Sequence, residues 1–389
     1  MNNLFSKNKI NTNRQIELDI AKAFSTIFMI FIHTISIAML FENTVSDPYY
    51  VIVGSILGGP FSAPVFMFCM GIGIIYSRHT QPNTMIKRGI KLFLLGLLVN
   101  IFSFIIPHYL AQYLLNSGNI LPNFGGLVLF YVDILEFAGL SFVIIGIFKK
   151  MNLSNKQLLA VGIILSILGF LLRFSDFGSI PLNILFGYFI GTSYEYTAFP
   201  LFSWIIFPIA GYFYGHYFIR TKNKSRFFRL WPIFIIISIT YFLIYMILIY
   251  DSLGTFPEGY YFYMSPLLAL FCLILIHGDL GFSFWLSKRI PEKLKNIFTL
   301  LSKNITGIYV AQWLLIPITI ILIKYANKSI VFNDLYVTII ALFIVIASTF
   351  CALAFKKLIK IMHWEDMPIF FLIIACFNMK RDLSLFFSF

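Results

Sequence analysis

Residues 18–41 read LDIAKAFSTIFMIFIHTISIAMLF, an apolar run of full membrane-spanning length interrupted by a few polar side chains. A helix crosses a bilayer with about 17–25 predominantly apolar residues. Read at spacings of three and four, Asp19, Lys22, Thr26, Met29, His33 and Ser36 share one helical face, and five of these six are polar. Lys22 and His33 are eleven residues apart, so they point the same way with about 16 Å of helix axis between them. Lys22 then stands at one end of the span and His33 near mid-membrane. An ionisable side chain at that depth is costly and marks function by default. A lone histidine would serve equally well as hydrogen-bonding glue between helices. The rest of the stripe favours a wet or ligand-lined interior. Lys22 taken alone could simply snorkel to the interface.

Similar runs recur to the end of the chain. They predict spans near 18–41, 51–77, 88–106, 127–148, 157–173, 199–219, 230–249, 262–278, 304–323 and 334–355. Hydrophobic residues make up 59% of the chain and charged residues 12%, where a soluble domain carries about 25% charge. Backbone groups in lipid must be satisfied within the segment, and the alternation of a membrane β-barrel is absent. The expected fold is therefore all-α, a polytopic membrane helix bundle of about ten transmembrane helices. No polar stretch is long enough for a soluble domain, which divides the chain into a tail (1–17), a transmembrane domain (18–355) and a second tail (356–389).

The net charge of +13 is explained by the positive-inside rule rather than by nucleic acid. Lys and Arg cluster in the N-terminal tail (Lys7, Lys9, Arg14), at alternate turns, and in the C-terminal tail (Lys356, Lys357, Lys360, Lys380, Arg381). Arg173, Lys324 and Lys328 are the exceptions. Both termini are thus expected in the cytoplasm, in a multi-pass protein of the plasma membrane. The Asn-, Lys-, Ile- and Phe-rich usage suits an AT-rich bacterial genome. The first run lacks a small-residue cleavage site and reads as a span, not a signal peptide. The four cysteines sit singly in apolar runs, with no metal-ligand spacing, and are expected to be buried thiols. Ile180–Gly191 is apolar but too short to span, and Ile369–Phe377 is a second short run expected at the inner surface.

Asp133 and Glu136 open the fourth predicted span three residues apart, so they share a helical face. His108 lies just past the third. Tyrosines near span ends, among them Tyr49, Tyr50, Tyr194, Tyr196, Tyr260, Tyr261 and Tyr263, read first as an interfacial belt. His216 and His277 are expected at inner helix ends, capping carbonyls.

Arg14-Gln-Ile-Glu-Leu-Asp-Ile-Ala-Lys22 followed by His33 resembles the opening of the transmembrane acyltransferase superfamily. That group includes the acyltransferase-3 proteins and the bacterial relatives of heparan-α-glucosaminide N-acetyltransferase. Here Lys22 replaces the usual arginine and Ala23 the usual glycine. The likeness continues through Gly59–Gly71, Lys87-Arg88, Gly96 to Asn100, Asp133–Leu140, Pro200 to Gly215 and Asn304-Ile-Thr-Gly-Ile-Tyr309-Val-Ala-Gln312, where Gln312 replaces a frequent histidine.

This resemblance implies an acyltransferase, with acetyl-CoA as co-substrate and no metal. The acyl group passes to a hydroxyl or amine of an extracytoplasmic or lipid-linked sugar or glycan, a modification of the cell envelope. Lys22, Arg78, Lys87, Arg88 and Lys91 would meet the donor's phosphates. His33 would act as general base or, through an acetyl-histidine, as nucleophile. Asp19, Asp133, Glu136, His108, Tyr309 and Gln312 would hold the acceptor or orient the base. The implied partners are the acyl donor, the glycan and the lipid bilayer; a homo-oligomer is compatible with all of this. The rival is a transporter or lipid-handling protein using the first-helix stripe as a solute path.

Overall fold

Every long apolar run forms a helix, as lipid demands of a backbone with no water to bond. The computed structural model describes residues 4–41, 45–78, 80–116, 127–192, 197–253 and 261–361. The helices are α1 (Ile16–Met39), α2 (Ala63–Tyr76), α3 (Pro82–Leu115), α4 (Ile134–Lys150), α5 (Asn155–Leu172) and α6 (Ile180–Ile190). They continue with α7 (Ile206–Phe218), α8 (Trp231–Leu253), α9 (Pro266–Ser287), α10 (Glu292–Lys303), α11 (Ile305–Ala326) and α12 (Asp334–Ile361). The described residues hold no named strand, and seven helices are long and apolar enough to cross a membrane. The second tail beyond residue 361, with Cys376 and the run 369–377, lies outside the described residues, as do Tyr194, Tyr196 and Tyr260.

Three predicted spans are shorter or broken, for reasons written in the sequence. In 51–77, a π-helical stretch (Tyr50–Leu57) unwinds at Gly58-Gly59-Pro60 before α2 begins, since glycine weakens a helix and proline cannot donate. In 127–148, a short 3₁₀ turn (Leu127–Phe130) and an extended residue or two precede α4, which is 17 residues long. In 199–219, a single turn (Leu201–Trp204) breaks before α7; Pro208 has no N–H for the Trp204 carbonyl. Two spans run nine residues past their predicted ends. The third starts at Pro82 and runs 34 residues, passing Pro107 through a π-helical stretch at Ile101–Ile105. The eighth ends at Ser287, nine residues beyond the predicted 278.

The polar first helix is the hub of the bundle. α1 packs against α2, α9, α10, α11, α12 and the π-helical stretch, so its stripe is covered by protein rather than lipid. The outer surface is apolar: Ile236, Ile244 and Ile247 on α8, and Leu335, Ile339 and Ile346 on α12, are exposed. Cys351 is exposed on that surface too, correcting the expectation that the thiols are buried; Cys69 and Cys272 are buried. Where α2 crosses α7 the backbones touch. A Cβ on Gly71 would lie 2.0 Å from the Pro208 carbonyl oxygen, and one on Gly211 would lie 2.0 Å from that of Phe68. Small residues of this kind let membrane helices approach closely.

Candidate active site

A cavity of about 180 Å³ lies beside the second half of α1 and is lined by His33, Ser36, Asp133, Tyr50, Tyr245 and Tyr261, among others. The irregular backbone noted above borders it: Gly58, Gly59 and Ser62 before α2, and Asp133 at the head of α4. Non-helical backbone at membrane depth is tolerated where it lines a cavity or finds partners. Both conditions hold here. The Tyr261 hydroxyl donates to the Gly59 carbonyl at 2.9 Å and Ser25 to that of Ser62 at 2.7 Å. The Ala198 N–H donates to the Val132 carbonyl at 2.9 Å.

One face of α11 backs the two ionisable groups of this cavity. Its Gln312 amide lies 3.3 Å from His33 Nδ1, and the Trp313 ring stacks on the His33 ring at 4.2 Å between centroids. One turn earlier, the Tyr309 hydroxyl donates to Asp133 Oδ2. Pro317 sits four residues after Trp313 inside the helix and removes the N–H that would bond the Trp313 carbonyl. Asp133 Oδ1 accepts from the Ile134 N–H at 2.7 Å, and Glu136 accepts from the Asp133 N–H at 3.1 Å, a capping box that starts α4. Asn100 on α3 donates to Glu136 at 3.1 Å and to the Tyr131 carbonyl at 2.8 Å.

The lower half of the α1 stripe forms a second polar centre. Asp19 is fully buried. It accepts from Arg14 at 2.5 and 2.6 Å and from Ser302 at 2.7 Å, with Lys22 Nζ at 3.7 Å. Thr26 turns back onto the Lys22 carbonyl at 2.8 Å. Nearby, Lys224 pairs with Glu17, and residues 5–11 run along 218–222. Asp19 therefore fastens one half-buried and one buried cation and does not line the cavity.

The remaining predicted residues are dispersed. Arg78, Lys87 and Lys91 are exposed and Arg88 is buried; none of them, nor Lys22, lines the cavity. His108 is buried, with its ring against Tyr109 at 5.5 Å. His277 lies inside α9 and not at its end. It bonds the Tyr214 hydroxyl at 3.1 Å among Phe227, Phe228 and Phe234. Its ring also reaches the Phe227 backbone, at the end of the short helical turn Lys224–Phe227, and His216 is in the last turn of α7 as expected, with its Nε2 lacking a hydrogen-bond partner. Trp313, Asn100 and Asp279 are not among the site residues expected from the sequence. Asn100 and Asp279 are polar residues inside apolar runs, and Trp313 directly follows the Gln312 motif. No group of three or more His, Cys, Asp or Glu among the described residues could hold a metal ion.

A half-buried imidazole held from behind, with a carboxylate on the same cavity, can take a proton from a hydroxyl or amine and orient it. The family model for heparan-alpha-glucosaminide N-acetyltransferase, catalytic, matches residues 14–250. That stretch is more than half of the chain and contains His33, Asp133 and most of the cavity wall. No curated protein and no solved structure matches the chain. The chain thus belongs to the heparan-α-glucosaminide N-acetyltransferase catalytic family, a family of membrane acetyltransferases.

Proposed function

We propose that the protein moves an acetyl group from cytoplasmic acetyl-CoA to a hydroxyl or amine of an extracytoplasmic or lipid-linked sugar, with His33 as general base. The observation that carries this reading is that His33 and Asp133 line one cavity, each held by a side chain of α11. The acceptor oxygen or nitrogen attacks the thioester carbonyl while His33 takes its proton. The bond to sulfur breaks, and the leaving thiolate receives that proton. The ring nitrogens divide this work. The Gln312 amide group faces Nδ1 at 3.3 Å through its nitrogen; turned by 180° about its last bond, its oxygen would accept from Nδ1–H and leave the Nε2 lone pair for the acceptor, because the bond made by one ring nitrogen sets the tautomer of the other. Asp133 would accept from the acceptor's neighbouring donors. Lys22 and the basic turns near it would face the donor's phosphates.

The carrier alternative gains one observation, a carboxylate buried within α9 that is considered below. Membership of an acetyltransferase family weighs the other way. The two are separated by measuring acetyl-CoA binding and slow acetyl-CoA hydrolysis by purified protein, wild type and His33→Ala. The expected result is saturable binding by both, with hydrolysis and transfer reduced about 10²–10⁴-fold in the variant. Full activity in His33→Ala removes His33 as base. Absence of binding by folded wild-type protein removes acetyl-CoA as donor.

A further inference from the structure

The Lys22 end of the bundle holds a carboxylate that the scheme above leaves unused. Asp279 lies within α9 and is 5% exposed. Among the described residues it makes no hydrogen bond and no ion pair. One turn further, Ser283 is fully buried, and its hydroxyl has no partner either. Residues four apart share a helical face, and Cys272 and Ile276 extend that face toward the cavity. The face is turned to α1 and α2: α9 packs against both, and Cys69 on α2 is within electrostatic reach of both Asp279 and Lys22. An unpaired carboxylate in a low-dielectric interior is strongly unfavourable. Two adjacent polar groups left without protein partners therefore point to a ligand that supplies hydrogen-bond donors.

Position narrows the ligand. Leu268 on α9 lines the cavity, and Asp279, eleven residues on, lies about 16 Å further along the axis. On α1 the same interval separates His33 from Lys22. Asp279 and Lys22 thus stand at one level, and the cavity lies at the other end of a shared interface. A carboxylate accepts and does not donate, and it repels phosphate, so it does not serve the nucleotide's phosphates. The pantetheine arm of CoA is uncharged, carries amide N–H groups and a hydroxyl, and links those phosphates to the thioester.

We propose that Asp279, assisted by Ser283, binds the amide-bearing arm of the acetyl donor between the Lys22 level and His33. This rests on the donor reading above, and it concerns residues beyond the stretch matched by the family model. The test measures binding of CoA, and of the CoA nucleotide lacking its arm, to full-length protein. The variants are Asp279→Ala and Ser283→Ala, with Asp279→Asn as the isosteric form that keeps one acceptor and the fold. Loss of a charge-assisted hydrogen bond predicts CoA binding weakened about tenfold or more in Asp279→Ala. A smaller loss is expected in Ser283→Ala and an intermediate one in Asp279→Asn, with nucleotide binding unchanged throughout. Unchanged CoA binding in Asp279→Ala and Asp279→Asn overturns the inference and leaves the donor reading standing. Equal weakening of CoA and nucleotide also overturns it, since the carboxylate would then act on the whole basic end. Wild-type protein that binds neither probe takes the donor reading down, and this inference with it.

Discussion

Asp19 shows how a single buried carboxylate can look catalytic in sequence and act as a fastener in structure. It has no exposed surface and gathers Arg14, Lys22, Ser302 and Thr299 around two oxygens. Removing one member of such a buried charged cluster costs about 3–5 kcal/mol. Asp19→Ala is therefore expected to lower thermal stability in detergent by that order, through Lys22, which is itself buried. Asp19→Asn keeps the hydroxyl contacts and should lose less. A variant as stable as wild type would show that the remaining contacts of Lys22 are enough to hold its charge. His33 behaves in the opposite way. It is only half-buried, and its ring is held by Gln312 and Trp313 while its edge meets the cavity. Truncating it removes a functional group and little packing, so His33→Ala should insert and fold normally while losing transfer.

At the scale of the helices, close crossings decide which substitutions are tolerated. At Gly71 and Gly211 an added methyl meets a backbone carbonyl that cannot move without separating α2 from α7. At Gly96 on α3 an added methyl would lie 2.3 Å from the Glu136 carboxyl carbon. That side chain could swing away, but it would then release the Asp133 N–H and Asn100. Losing such a cap costs about 1 kcal/mol. Gly71→Ala should therefore be the more destabilising, Gly96→Ala the milder, and only Gly96→Ala should alter the cavity through Asp133. Thermal unfolding of the two variants ranks them; the reverse order would mean that α2 and α7 yield more easily than a side chain. These crossings were not legible in the sequence, because a glycine's neighbour across an interface lies far along the chain. What was legible is periodic and local: the apolar runs, the stripe on α1, the two carboxylates Asp133 and Glu136 opening one span, and Tyr309 and Gln312 in one motif; that the two carboxylates form a cap and not one helical face was not. Hydropathy alone ends the eighth span at residue 278, and that single boundary leaves Asp279 outside the membrane. Glycine, proline and π-helical breaks shifted other boundaries for the same reason, because hydropathy measures composition and not hydrogen-bond continuity.

At the scale of the whole molecule, α5 predicts direction without a count of spans. α5 is long and apolar enough to cross by itself, and the turns at its two ends are then expected on opposite sides. The turn before it carries Lys149, Lys150 and Lys156, whereas the turn after it carries Arg173 and Asp176. The positive-inside rule predicts the first turn in the cytoplasm and the second outside. The cavity follows the second, because Asp133 heads α4 and α4 ends at the Lys149 turn. Met151 and Ser179 are both exposed, so single cysteines placed there, in a chain with its four native cysteines replaced, report the two sides. A membrane-impermeant maleimide applied to intact cells is expected to label Ser179→Cys at once and Met151→Cys only after permeabilisation. The reverse pattern would turn the cavity toward the cytoplasm. His33 and Asp133 would then face soluble substrates, and an extracytoplasmic sugar could not be the acceptor whatever the chemistry at His33.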